Sequence, residues 1–285
     1  MLDITRLVCQ IRRILKTKLH QFLKFLYSLN FPLLKRILPS LIKRLKILKN
    51  DQLIELEGFK IKLDLKQSID KEIYLNGFYE REQIKYLKKI CNQNEITHFL
   101  DIGANIGYYT LKFKNIKNIY AFEPNKKNYR KLTKNISLNK LKVKTYSFGL
   151  SNTNSISKIW YTDQNKMGGS AVYDKSDTEL RKYNKKNIFK EKILLKKLDD
   201  VLDFKNLNIL IKIDVERHEK KVLEGMKNLI NLNNIVLQIE IGDKQKKAVY
   251  SYLKTLHFKW IKTIRHDHFF IKKLNRGLEN LNPLF

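Results

Sequence analysis

Three stretches of the sequence place reactive side chains where chemistry is done. The first is His98-Phe-Leu-Asp101-Ile-Gly103-Ala104-Asn105-Ile-Gly107-Tyr-Tyr-Thr110. An apolar run ends in an acid, a glycine turn follows, and a helix is expected to begin near Ile106. In open α/β sheets, ligands bind at such strand ends. Gly103 and Gly107 let the backbone approach a ligand with no Cβ in the way. A helix N-terminus would offer N–H groups to a carboxylate. The second stretch, Ile119-Tyr-Ala-Phe-Glu123-Pro124-Asn125, ends the next apolar run in another acid, 22 positions after Asp101. An acid so placed accepts hydrogen bonds from the two hydroxyls of a ribose. The third, Ile211-Lys-Ile-Asp214-Val-Glu216-Arg217-His218-Glu219, delivers three acids and a histidine from the end of a strand. Such a cluster can remove a proton from a hydroxyl nucleophile and align it. Each stretch also has a plainer reading, as a tight turn, a surface carboxylate, or acids favoured by a helix dipole.

The first turn reads GxxxG rather than GxGxxG, because Asn105 stands where a dinucleotide site needs its middle glycine. That disfavours a nicotinamide-dependent dehydrogenase, whose glycine makes room for a pyrophosphate. A nucleoside ligand carrying a carboxylate and no phosphate fits better, and S-adenosylmethionine is such a molecule.

Elements of suitable length can hold these stretches. Leu53–Leu63 alternates around Gly58 as a β-hairpin, and residues 80–93 have helical spacing. Buried-type apolar runs then follow at His98–Ile102, Asn118–Phe122, Val143–Phe148, Ile209–Ile213 and Ile235–Ile239. Helix-length segments separate most of them, which predicts a parallel sheet with crossover helices. Phe258–Ile264 and His268–Lys273, joined by a three-residue loop, predict an antiparallel hairpin at the sheet edge. Residues 151–197 are polar and read as an inserted loop region, whose Trp160-to-Tyr173 part, with Gly168 and Gly169, is a candidate cover for an acceptor.

Taken together, the segments resemble the FkbM family of methyltransferases. The matching residues are Phe99-Leu-Asp-Ile-Gly-Ala-Asn-Ile-Gly-Tyr-Tyr-Thr110, Phe122-Glu-Pro-Asn125, and Lys212-Ile-Asp-Val-Glu216 with Glu219 and Leu223-Glu-Gly225. Gly77-Phe-Tyr-Glu80, Leu198-Asp-Asp200 and Gly168-Gly-Ser170 are lesser matches, and the likeness runs from about residue 76 to about 242. The resemblance implies a class I Rossmann-like α/β fold: a mostly parallel twisted sheet with helices on both faces. It implies methyl transfer from S-adenosylmethionine, usually to oxygen, as on a sugar hydroxyl of a surface glycan or related metabolite. Asp101, Gly103, Ala104, Asn105, Gly107, Glu123 and Pro124 become the expected cofactor residues. Asp214, Glu216, His218 and Glu219 become the catalytic candidates, with no one of them singled out as the base. Arg217 stands where the family usually has glycine.

The chain of 285 residues has a net charge of +30. Such a field attracts anions, but the excess is mostly lysine in a chain also rich in Asn and Ile, as an AT-rich genome would give. An RNA methyltransferase and a non-catalytic methyltransferase-like binding protein are the competing readings. The four prolines form no Asn/Asp-Pro-Pro-aromatic loop, and no RNP-like motif is present, so nucleic acid is disfavoured. Cys9 and Cys91 form no framework and no metal-ligand spacing, which fits a reducing cytoplasm and predicts no obligatory metal.

Residues 1–50 form a separate region, with 12 basic residues against the single acid Asp3. The apolar residues recur at helical spacing, predicting a basic amphipathic helical extension before a domain at 51–285. Three readings apply to it: peripheral contact with an anionic membrane, packing as a helical cap, and nucleic-acid binding.

Overall fold

The computed structural model describes residues 22, 25, 50–161, 171–172 and 189–272. The amphipathic extension and the Gly168-Gly-Ser170 stretch therefore lie outside the described residues, apart from Phe22 and Phe25, which are helical and exposed. Among the described residues no helix is long and apolar enough to cross a membrane.

The chain divides into two compact units, one of residues 1–57 and 62–79, the other of 58–61 and 80–285. Strands β1 (Asp51–Leu56) and β2 (Phe59–Asp64) make a two-stranded sheet across the turn at Gly58. In the first unit, helix α1 (Ser68–Asn76) buries Asp70, whose Oδ2 accepts the Asp64 N–H at 2.7 Å.

The second unit contains helix α2 (Arg81–Gln93) and is built on a seven-stranded sheet. Its strands are β3 (His98–Ile102), β4 (Asn118–Phe122), β5 (Val143–Tyr146), β10 (Asn208–Ile213), β11 (Asn234–Glu240), β12 (Lys259–Ile264) and β13 (Asp267–Lys272). They lie in the order β12-β13-β11-β10-β3-β4-β5. All pairs from β11 to β5 are parallel, and β13 runs antiparallel to both of its neighbours. The order reverses between β3 and β10, so the C-terminal ends of these two strands flank the switch point where such sheets bind ligands.

The sequence runs became strands because both faces of the sheet are covered. Leu100, Ile102, Ile209, Ile211, Ile213, Leu237 and Ile239 point to one face. There they meet Val222 and Leu223 of α5 (Glu219–Glu224), Leu229 and Ile230 of α6 (Lys227–Leu232), and Val249 and Leu253 of α7 (Asp243–Thr255). On the other face Phe99 packs against Phe113, just past α3 (Tyr108–Lys112), and Phe269 packs edge-on to Tyr86 of α2. Helix α4 (Lys126–Leu138) links β4 to β5 and is capped by the Asn125 side chain, which accepts the Lys127 and Asn128 N–H groups.

One expectation is overturned. Residues 151–197 are not only loop. They contribute β7 (Ser155–Tyr161), β8 (Ala171–Val172) and β9 (Phe189–Lys196), which with β6 (Gly149–Leu150) form a second sheet in the order β6-β9-β7-β8. Ile159, Ile193 and Leu195 supply its core. The opposed pairs Ile156–Leu194 and Lys158–Lys192 lie on its outer face, which is exposed, and this outward lysine content made the strands read as polar loop. Smaller differences are a two-residue turn at Arg265-His266, the end of β5 at Tyr146, and the start of α3 at Tyr108.

Helix α6 has no cap of its own, and the Asp199 carboxylate accepts its Asn228 and Leu229 N–H groups, both at 2.9 Å. Asp199→Ala is expected to cost about 1 kcal/mol, as loss of a cap does, seen as a lower urea midpoint at constant slope.

Candidate active site

The glycine turn after β3 is held by its neighbours before any ligand is considered. The N–H groups of Gly103 and Ala104 both donate to the Phe122 carbonyl. Asn105, at φ +51, donates its N–H to Glu123 Oε2 at 2.8 Å, and Glu123 Oε1 takes the Asn125 N–H at 2.9 Å. Each carboxylate oxygen keeps a further acceptor direction, so Glu123 is oriented yet still able to accept. Burial pushes its pKa up to about 7, against the two N–H groups that lower it. A buried acid with a raised pKa weakens the fold as it ionises: below its ordinary value both states are protonated, and above it only the unfolded chain ionises freely. Stability of the ligand-free protein is therefore expected to fall between about pH 4.5 and 7. Glu123→Gln is expected to make that fall shallower in urea titrations over this range, the rest coming from Glu216 and Glu219, which burial also raises to about 7.

Gly103 sits at φ +83, and a Cβ there would lie 1.9 Å from the Asp214 carbonyl oxygen. Only glycine lets the turn after β3 touch the turn after β10. Gly107 is at φ +86 and packs on Leu132. Asp101 is buried, its Oδ2 accepting both the Thr110 N–H at 3.0 Å and the Thr110 hydroxyl at 2.6 Å. Of the helix N–H groups expected to face a ligand carboxylate, Asp101 takes that of Thr110. Asp101 Oδ1 is buried with no hydrogen-bond partner among the described residues.

The four catalytic candidates are not equivalent. Asp214 Oδ2 lies 2.9 Å from the Lys212 ammonium, with 5% of the lysine side chain and 26% of the aspartate side chain exposed. Burial alone would raise the Asp214 pKa, and the lysine outweighs it, holding the carboxyl below its usual range. Glu216 is half-buried beside Asp214, and burial followed by that charge pushes it to about 7. Glu219 is buried and closes the turn by accepting the Arg217 N–H at 2.8 Å, while its Oε2 has no partner among the described residues. Burial pushes its pKa to about 7 as well. His218 turns to Ser151, with its Nε2 2.9 Å from that hydroxyl, and so ties the turn to the chain just past β6. Glu216 and Arg217 both have positive φ, 50° and 73°, a conformation that costs a side-chain-bearing residue energy. The Arg217 guanidinium lies 5.9 Å from the Trp160 ring centroid.

The structure adds residues that motif reading missed. Asp101, Lys212 and Gln238 are register partners on β3, β10 and β11, so their side chains leave the same face. Two residues further along, Asp214 and Glu240 extend that face, and Asp267 is the register partner of Glu240 on β13. Gln238 Nε2 donates to Asp267 Oδ1 at 2.7 Å and to the Tyr109 hydroxyl at 3.0 Å. That hydroxyl donates to Glu80 Oε2 at 2.5 Å, and Gln83 Nε2 donates to Asp267 Oδ2 at 3.0 Å. Lys212 lies over the Tyr109 ring at 4.6 Å. Burial would lower the Lys212 pKa, but Asp214, Glu80 and Asp101 overcome that and hold the ammonium charged. The signal was present in Ile211-Lys-Ile-Asp214 and Leu237-Gln-Ile-Glu240, where polar residues interrupt buried strands with period two. Among the described residues no group of three or more His, Cys, Asp or Glu is arranged to hold a metal ion.

Residues 101–269, more than half of the chain, match the methyltransferase FkbM domain. The chain belongs to the FkbM methyltransferase family. This FkbM methyltransferase is 24% identical over 200 residues to the hexuronic acid methyltransferase AglP of Haloferax volcanii, a match covering 68% of this chain and 77% of that protein. It is similar to the crystal structure of an FkbM methyltransferase from Methylobacillus flagellatus KT, with a TM-score of 0.41 and 14% identity over 62% of this chain and 44% of that one. It thus spans less than half the length of that protein. It is also similar to TYW2 of M. jannaschii in complex with AdoMet, with a TM-score of 0.40 and 16% identity over 79% of this chain and 84% of that one.

S-adenosylmethionine is the cofactor of the family, and the residues of this FkbM methyltransferase fit it. Glu123, held by the Asn105 and Asn125 N–H groups, would accept from the ribose diol. The Gly103 turn admits close backbone approach, and the orphaned Asp101 Oδ1 is an acceptor suited to an ammonium.

Proposed function

We propose that this methyltransferase modifies a sugar hydroxyl of a surface glycan or related metabolite, with Asp214 as the base. The observation that carries the reading is the buried Lys212–Asp214 pair, lodged directly against the Gly103 turn. A carboxylate kept ionised at the edge of the cofactor turn can take a hydroxyl proton as the oxygen is alkylated. Its neighbours Glu80, Glu216 and Glu240 are acceptors and donors of the kind that hold a polyol by its hydroxyl pairs. When bound, S-adenosylmethionine supplies an electrophilic methyl group on a sulfonium. The protein's own residues align the acceptor and hold Asp214 ionised. The likeness to a hexuronic acid methyltransferase supports a glycan-type acceptor.

The test is transfer from methyl-labelled S-adenosylmethionine to a panel of neutral and uronic hexopyranosides and nucleotide sugars. Label on a sugar oxygen in wild type, lost in Asp214→Asn while S-adenosylhomocysteine still binds, is the expected result. Label on no sugar by a protein that binds S-adenosylhomocysteine would overturn the acceptor class. Full turnover by Asp214→Asn would overturn the base.

A further inference from the structure

Beyond the pair that sets the charge of Asp214 lies a second carboxyl. Ile213 and Ile239 are register partners on adjacent parallel strands, and the chain continues from them to Asp214 and Glu240. Neighbouring strands run about 4.8 Å apart, so these two residues stand side by side at the C-terminal ends of β10 and β11, on the face that Lys212 and Gln238 share. So placed, whichever carboxyl holds a proton can donate it to the other. Two carboxylates at that separation cannot both be ionised cheaply, and a shared proton removes the repulsion.

We propose that Glu240 is a positioning residue for methyl transfer: it donates a carboxyl proton to Asp214, and Asp214 is thereby fixed between Glu240 and Lys212. The proposal rests on the reading of Asp214 as the base.

The surrounding groups decide which member of the pair holds the proton. Lys212 on β10 lies 2.9 Å from Asp214 Oδ2, so the positive charge favours ionisation of Asp214. Asp267 on β13, the register partner of Glu240, takes donors from Gln83 and Gln238 and adds negative charge beside Glu240. Glu80 ahead of α2 and Glu216 in the turn add to the acidic surroundings of Asp214, while Arg217 acts against Glu216. Burial first, then the charge and hydrogen bond of Asp214, push Glu240 up to about 9, with Lys212 opposing. Glu240 remains half-exposed, which gives the pair a route to water.

The proton balance is complete. As the acceptor oxygen bonds to the methyl carbon, the carbon–sulfur bond breaks and its electron pair stays on sulfur. The hydroxyl proton passes to Asp214. The pair then holds two protons, and one leaves to water by way of Glu240.

The experiment uses the full chain loaded with S-adenosylhomocysteine and labelled with carboxyl-13C glutamate. One glutamate carboxyl is expected to stay protonated past neutrality and titrate near pH 9. Its resonance should be missing in Glu240→Gln, and in Asp214→Asn its titration should move down toward the ordinary carboxylate range. No such glutamate in wild type, or one unmoved by Asp214→Asn, overturns the proposal. In turnover on the sugar acceptor, Glu240→Ala is expected to lower kcat about tenfold with unchanged affinity for S-adenosylhomocysteine. Glu240→Gln, whose amide still donates to Asp214, should recover most of that loss. A wild-type kcat in Glu240→Ala, with Asp214→Asn inactive, overturns the positioning role alone. Wild-type turnover in Asp214→Asn overturns the base reading beneath it.

Discussion

Calorimetric titration of Glu123→Ala with S-adenosylhomocysteine is expected to show binding weakened by about 10²- to 10⁴-fold relative to wild type. Each hydrogen bond from a ribose hydroxyl to an ionised carboxylate contributes about 1.5–3 kcal/mol, and the site offers two. Glu123 also holds the Asn105 and Asn125 N–H groups, so its loss loosens the glycine turn as well as removing the acceptor. Glu123→Gln separates these effects, because its carbonyl oxygen can keep one N–H while the other side of the group becomes a donor. Binding by Glu123→Ala at wild-type strength would show that the ribose lies elsewhere, and would remove the β4 end from the cofactor site.

Lys212→Met is expected to destabilise the protein by about 3–5 kcal/mol near neutral pH, because it strips the countercharge from buried acids. The ammonium faces Asp214, Glu80 and Asp101, and Asp101 is itself buried. Methionine has similar length and keeps the packing against Tyr109, so the loss isolates charge from volume. Lowering the pH should narrow the difference as Asp214 takes a proton, since Lys212 is what holds that carboxyl below its usual range. Urea unfolding of Lys212→Met, Asp214→Asn and the double variant measures the coupling directly. A Lys212→Met protein as stable as wild type would mean that the acids protonate without cost, and that Asp214 is not held ionised.

Strands that are buried along their whole length were legible residue by residue. His98–Ile102 and Asn118–Phe122 have the bounds that their apolar runs predict, and the C-terminal hairpin pairs as expected. Continuous apolar runs have only one environment that suits them, the middle of a covered sheet, so local composition decides. The small sheet was not legible, because β7 and β9 turn Lys158, Lys192, Ile156 and Leu194 to solvent and show little apolar periodicity.

The glycine turn is legible along the chain as an acid, two glycines and a second acid at the next strand end, and the fold then clamps it against the Phe122 carbonyl, Glu123 and the Asp214 carbonyl. The rest of the site was decided by register. His218 found Ser151 across 67 positions, which no spacing along the chain announces. Glu240 and Asp267 were unremarked because each is a single acid near a strand end, until strand pairing set Glu240 beside Asp214 and Asp267 beside Glu240. Period-two alternation tells which residues share a face of one strand, but which strands lie side by side is set by packing both faces of the whole sheet. That is why the glycine turn and its two acids could be read from the chain, while the ionisation of Asp214 could be read only from the fold.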